Sequence, residues 1–364
     1  AGSGALFARN PYNTEFAGRI AFFDVDDVAI ASVCGDRGEF LGRNGTLRNP
    51  DAMRRPALSG IVGAALDPCA GIRLPFELAD GQTREIIFRL GAGGSAEQAR
   101  QLVQRWRGSA AAHDAFTAVK RYWQHTLGAV QVETPVPSLD VLTNGWLVYQ
   151  VLACRLWGRN AFYQSSGAFG FRDQLQDVMA LVHATPELVP EHLLRCASRQ
   201  FPEGDVQHWW HPPSGRGVRT RCSDDYLWLP LATCRYVATT GDAGVLDEPA
   251  HFLEGRALKD EEASYYDLPT QSDEAANLYD HCVRAIEHGL RFGAHGLPLM
   301  GSGDWNDGMN LVGAGGKGES VWLGFFLYPV LMQFGELAQR RGDVAFAERC
   351  SSESARLRDA IEKN

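Results

Sequence analysis

At 364 residues the chain is longer than one hydrophobic core usually organises, so two domains are the starting expectation. Hydrophobic residues make up 45% and charged residues 22%, which excludes a disordered or collagen-like chain. A formal charge of −9 argues against a nucleic-acid partner, because such binding relies on Lys and Arg neutralising phosphates.

The first ninety or so residues carry strand signals. Gly18 to Val25 and Val28 to Val33 are short, β-prone and bounded by turn residues. Ile72 to Leu78 alternates with period two, Asp80-Gly81 is a tight-turn dipeptide, and Glu85 to Leu90 follows, which together predict a hairpin. Residues 1–95 therefore read as the C-terminal part of an antiparallel β-sandwich. From Ala96 to Trp106 and from Ala110 to Leu127 the apolar residues recur at three- and four-residue intervals, predicting helices in a linker over 96–137. Thr134-Pro-Val-Pro137 is a stiff extended joint, since proline fixes φ and disfavours helix in the preceding residue.

Beyond Ser138 every periodic segment is helical: Leu139–Trp157, Asp173–His183, Pro186–Gln200, Asp224–Thr240, Asp273–Phe292, Glu319–Arg341 and Val344–Lys363. Gly241 and Gly342 are stop signals. Residues 138–364 thus predict an all-α toroid of antiparallel helix pairs whose loops converge on a central cleft, and the chain as a whole an α+β multidomain protein. The most apolar stretch, Val321 to Phe334, is interrupted by Gly324, Pro329 and Gln333 and is shorter than the roughly 20 residues of a membrane span, so it reads as a buried helix without membrane contact. The eight cysteines include no C-x-x-C pair, so neither a zinc site nor any other metal is expected, and reduced thiols in a cytoplasmic chain without a signal peptide are.

Three loops carry the chemistry. Gly301-Ser-Gly-Asp-Trp-Asn-Asp-Gly-Met-Asn310 sets Asp304, Trp305, Asn306 and Asp307 between glycines that permit sharp turns. A carboxylic acid is what protonates a departing glycosidic oxygen, and an adjacent indole offers a sugar-stacking face. On composition alone a structural Asp/Asn turn explains this loop equally well. Tyr163 to Asp177 runs into a helix that starts with Arg172, Asp173 and Gln176, groups suited to sugar hydroxyls or simply to capping. Gly204 to Asp225 contains Trp209, Trp210, Arg216 and Arg219, which suit a cleft wall or a packed loop. Its His208 and His211 lack companions at metal-ligand spacing.

In this order the three motifs resemble glycoside hydrolase family 94. The likeness extends over nearly the whole chain, through Asn10-Pro-Tyr-Asn-Thr-Glu-Phe16, Gly35 to Thr46, Phe171 to Asp177, Gly204 to Thr220 and Leu297 to Asn310, and is greatest to the phosphorylase-like region of bacterial cyclic β-1,2-glucan synthases. The resemblance implies a β-sandwich, linker helices and an (α/α)6 barrel of which this chain holds the N-terminal part, with Asp307 as general acid. It implies that Arg172, Asp173 and Trp305, with Asp304, Asn306, Gln176, Trp209 and Trp210 nearby, hold the donor sugar. It further implies that inorganic phosphate is a co-substrate, that no cofactor is used, that the product is α-glucose 1-phosphate and that homodimers form, as they do in relatives. The phosphate ligands stay unassigned, because some relatives place a phosphate-binding Arg upstream of Arg172 where this chain has Ser165-Ser166-Gly167. Two alternatives stand beside phosphorolysis: an inverting hydrolase with Asp304, Asp224 or Asp225 as base, and a non-catalytic module that binds glucan or controls its length.

Overall fold

A computed structural model describes residues 4–12, 14–159 and 167–364. The chain forms two compact units, Ala1–Tyr122 and Trp123–Asn364.

In the first unit β1 (Leu6–Arg9), β2 (Ile20–Val25) and a later strand form one antiparallel sheet, while β3 (Ser32–Asp36) pairs with β4 (Pro68–Arg73) in another. Asp36 ends β3 and caps the short helix α1 (Arg37–Leu41) by accepting from the Gly38 amide at 2.9 Å. The third strand of the first sheet is β5 (Phe88–Gly93), paired to β2 through Phe23 and Leu90. The predicted hairpin between Ile72–Leu78 and Glu85–Leu90 is therefore not formed. Its first arm stops at Arg73 just before Leu74-Pro75, since proline has no amide to give a ladder, and Phe76 and Leu78 are left half exposed. The turn at Asp80-Gly81 survives, with Gly81 at φ +73°.

Both linker helices form, as α2 (Ala96–Arg105), capped by Ser95, and α3 (Ser109–Leu127). Helix α2 closes the first sheet by burying Ala99 and Val103 against Phe22. Beside this small core lies a charged one. Asp24, fully buried, accepts from Arg89 Nε at 3.0 Å and Nη2 at 2.5 Å and from Arg107 Nη2 at 2.9 Å, and Asp26 takes the remaining Arg89 nitrogen.

The second unit begins with a helical run over 137–158 where one helix was predicted over Leu139–Trp157. The run comprises α4 (Pro137–Val141), α5 (Leu147–Tyr149) and wider turns at Leu142–Trp146 and Gln150–Gly158. It is broken at Asn144-Gly145 because Gly145 takes φ +135° while the Asn144 side chain holds the Val132 backbone at 2.7 and 2.8 Å. Then come β6 (Phe169–Gly170), α6 (Phe171–Met179), α7 (Val189–Ala197), β7 (Gln207–His211), β8 (Arg216–Thr220) and α8 (Trp228–Thr240). They are followed by β9 (Pro249–Glu254), β10 (Ser264–Asp267), β11 (Thr270–Asn277), α9 (Leu278–Gly289), α10 (Val321–Arg341) and α11 (Val344–Lys363).

The main departure from the all-α expectation is six strands, β6 before α6 and five after α7: β10, β8, β7 and β6 make one antiparallel sheet, and β9 and β11 make a ribbon. The predicted helix start at Asp273 falls inside β11, whose partner overrides local preference, and the helix begins only where Asn277 caps the Asp280 amide at 2.9 Å. Helices α6 to α11 share one core that includes the fully buried Leu175, Leu193, Leu229, Ile286, Leu327 and Phe334. Helix α10 is long and apolar enough to cross a membrane by composition, and it buries Leu323, Leu327, Val330, Leu331 and Phe334 in this core. All eight cysteines are unpaired.

The charged core of the first unit yields a stability prediction. Asp24→Ala leaves two guanidinium groups without their shared carboxylate, and loss of one member of a buried ion cluster costs about 3–5 kcal/mol. Urea unfolding should show that loss, and a change below about 1 kcal/mol would mean the cluster is solvated like a surface pair.

Candidate active site

All three sequence motifs meet at the start of α6. Beside Gly170 the Asp173 carboxylate lies close over the helix start, where a Cβ on residue 170 would come within 2.3 Å of its Oδ2 and turn it aside. The next residue but one, Arg172, is 7% exposed and points inward. Its Nη1 reaches Asp224 at 3.3 and 3.4 Å and the Asp304 carbonyl at 3.2 Å, and its Nη2 donates to both oxygens of Asp307 at 3.0 and 3.1 Å.

The loop bearing Asp307 is held at its start. The Ser302 amide donates to Arg221 O at 3.1 Å and the Ser223 amide to Gly303 O at 2.9 Å. Gly301, at φ +64°, passes so close that a Cβ would meet the Arg221 carbonyl at 2.0 Å. Asp304 accepts from the Asn306 amide at 2.9 Å and from Ser320 Oγ at 2.7 Å, and Ser320 is the cap of α10. Asp304 is thus 7% exposed, and its side chain stabilises the turn instead of reaching sugar as expected from the sequence. Asn306 closes the next turn by accepting from the Gly308 amide at 3.0 Å, leaving Trp305 53% exposed and the Asp307 side chain 56% exposed.

These residues line a cleft of about 650 Å³ together with Asp173, His208 and Trp209. Asp173 is half exposed, 4.0 Å from Arg155. Gln176, one turn further along α6, is half-buried and outside the cleft lining. Asp177 turns to Arg155 at 2.7 Å, and burial pushes its carboxyl up to about 6. The sequence placed Trp209 and Trp210 together in the cleft, but adjacent strand residues face opposite ways. Trp209 lines it, whereas Trp210 is buried against Phe169 and beneath Arg199. Arg219 is likewise spent in the interior, on Asp205 at 2.6 Å. Ser165 and Ser166, the stretch where relatives place a phosphate ligand, lie outside the described residues. A second cavity, of about 640 Å³, takes in Gly301, Ser302 and Asn310 but neither Arg172 nor Asp307, and so lacks the acid.

The contributor that the sequence treated as a packing or hydrogen-bonding group is His208. Its Nδ1 lies 2.8 Å from Asp225 Oδ2, and its Nε2 lies 3.8 Å from Asp307 Oδ2. Burial alone would lower the imidazolium pKa, but the charge and hydrogen bond of Asp225, joined by Asp307, outweigh it and raise it to about 9. His208 is therefore a cation at neutral pH beside the acid. No spacing rule links residue 208 with 225 and 307, so only its place between aromatic residues in a polar loop hinted at it. Cys222 joins His208 and Asp225 in a group whose ligand atoms lie within 4.8 Å of one another. Burial and then Asp225 push that thiol well up, so it stays protonated, and His208 Nδ1 is already held by one oxygen of Asp225, whose Oδ1 is buried without a hydrogen-bond partner among the described residues. Asp224, fully buried, is also raised by burial and by Asp225, against the opposing pull of Arg172 and the Trp228 indole at 3.0 Å.

The His208–Asp225 pair carries a signed consequence for stability. A histidine whose folded pKa exceeds its unfolded value of about 6.5 stabilises the fold fully below that pH, and the contribution disappears as pH rises through about 9. The urea midpoint of the native chain should exceed that of His208→Gln at pH 6, and the gap should narrow by pH 10. A gap of constant size across this range would exclude the charged pair.

Comparison with known proteins places this geometry. Residues 1–109 match the glycosyl hydrolase 94 supersandwich domain, and residues 122–364 match the catalytic domain of the glycosyl hydrolase 94 superfamily. The chain is 42% identical over 98% of its length to a cyclic beta-(1,2)-glucan synthase of Rhizobium meliloti (strain 1021), of which it spans 13%. It is 27% identical over 96% of its length to an N,N'-diacetylchitobiose phosphorylase of Vibrio proteolyticus, spanning 44% of that protein, and 28% identical over 89% of its length to a solabiose phosphorylase of Paenibacillus borealis, spanning 39%. The cleft built around Arg172 and Asp307 therefore sits in a chain that belongs to the glycosyl hydrolase 94 superfamily, with a supersandwich domain followed by a mainly helical catalytic domain.

Proposed function

We propose that the second unit carries the acid and donor-sugar side of an inverting phosphorylase-type site for a β-glucan, β-1,2-linked by the likeness to the glucan synthase. Its helices would be part of an (α/α)6 barrel. The observation that carries this reading is Asp307: it is the one carboxylate of its loop that reaches the cleft surface, and Arg172 grips it from below while Trp305 stands beside it. In the reaction Asp307 gives its proton to the glycosidic oxygen as the bond to the anomeric carbon breaks. A phosphate oxygen attacks that carbon from the opposite face, releasing α-glucose 1-phosphate. Asp307 ends as a carboxylate, the form that a guanidinium 3.0 Å away accommodates. Asp173 and Trp305 would orient the donor ring.

Phosphate is favoured over water by what the three carboxylates weighed as a base, Asp224, Asp225 and Asp304, are doing, with Asp173 on the cleft wall assigned to the donor ring. A hydrolase needs an accessible base to activate water. Asp224 and Asp225 are at most 1% exposed and are tied to Arg172 with Trp228 and to His208. Asp304 is tied to Ser320. A phosphate dianion needs no base. The relatives named as phosphorylases use the same co-substrate class. Because the chain spans only part of the length of each of them, a glucan-binding or length-controlling module is the second reading.

Incubation of the chain with β-1,2-glucooligosaccharides and phosphate should give α-glucose 1-phosphate. Asp307→Asn should lower kcat by about 10²–10⁴ while leaving the thermal transition in place. Sugar release that proceeds equally without phosphate would transfer the assignment to a hydrolase, and binding by calorimetry without turnover would favour the module.

A further inference from the structure

The sheet β10-β8-β7-β6 leads out of the cleft along a row of side chains that the acid chemistry does not use. Cross-strand partners run Gly170 to Trp209, Trp209 to Val218, and Val218 to Tyr266, so these four residues share one face. The alternate row, Phe169, Trp210, Gly217 and Asp267, faces the other way. Two of its members, Gly217 and Asp267, line a small separate pocket with Arg219.

The outer face is aromatic and starts in the cleft. Trp209 is part of the cleft wall, and the Tyr266 ring lies 5.5 Å from it, on the edge strand and 51% exposed. His211 meets the Trp209 ring edge-on at 5.2 Å, and the Arg216 guanidinium stands 5.8 Å over the Tyr266 ring. Two fixed rings, with hydrogen-bonding groups at their margins and no carboxylate in their row, match a neutral polyol. Sugar C–H faces pack on aromatic faces, while Arg216 and His211 can meet the hydroxyls around the ring.

We infer that Trp209 and Tyr266 form an accessory sugar subsite that takes a further glucose unit of a long β-glucan, continuing outward from the unit held at Asp307. This rests on the β-glucan reading above and extends it to chain length. A donor too short to leave the cleft does not reach Tyr266, whereas a long one gains a stacking contact, so the site prefers long chains.

The test compares native chain, Tyr266→Ala and Tyr266→Phe on a short and a long β-1,2-glucooligosaccharide, reading kcat/KM in phosphorolysis and Kd by calorimetry. The ratio of long- to short-chain kcat/KM, and the long-chain Kd, should each worsen about three- to tenfold in Tyr266→Ala. Tyr266→Phe, which keeps the ring, should restore both. Equal losses on the two substrates, or no change on either, would overturn the subsite, and so would a Tyr266→Ala effect confined to oligomeric state. If the native chain binds the long glucan without turning over either substrate, the phosphorylase reading fails, while the calorimetric comparison still decides the subsite. Native chain that binds neither glucan overturns both.

Discussion

The guanidinium of Arg172 is the interaction on which the rest of the site depends. It is almost wholly buried, and one nitrogen satisfies Asp224 and the Asp304 carbonyl while another holds Asp307. Three segments distant in sequence are thereby joined: the start of α6, the turn before α8, and the loop that precedes α10. A buried charge without partners is strongly unfavourable, so this junction forms in full or leaves the interior with an uncompensated cation. The rigid planar fork of arginine is what allows one side chain to serve three acceptors, and lysine offers no equivalent geometry.

Around that junction the carboxylates divide by exposure. Asp224 and Asp225 lie in the interior, where burial and the neighbouring Asp225 raise the Asp224 carboxyl and where Arg172 and His208 compensate the pair. Asp304 shapes its own loop, and Asp307 alone of that loop emerges. The division of labour follows from solvent access and partner identity, since the four side chains are chemically the same. It also explains why a cation at His208 persists beside the acid: Asp225 holds its Nδ1 and neutralises what burial would otherwise expel.

The strands of the second unit set the shape of the cleft. Their alternation sends Trp209 toward sugar and Trp210 into the core, and it carries the aromatic face on to Tyr266. A purely helical reading of this region has no means of separating two neighbouring tryptophans.

Several features were legible in the residues alone. Helices α2, α3, α10 and α11 announced themselves through apolar periodicity, and Gly241 and Gly342 marked the ends of α8 and α10, because those signals act within a few residues of where they operate. The glycine-flanked loop around Asp307 and the Arg172-Asp173 pair could be singled out for the same reason. What the sequence could not disclose was decided by partners far along the chain. The strand β3 claimed β4 from a predicted hairpin; β9 drew residues 273–277 out of a helix; and Asp225, 17 residues away, turned His208 into a cation next to Asp307. Local propensity is worth tenths of a kcal/mol per residue, whereas strand pairing and buried charge compensation are worth more and are set by three-dimensional proximity, so on these points only the tertiary structure could choose.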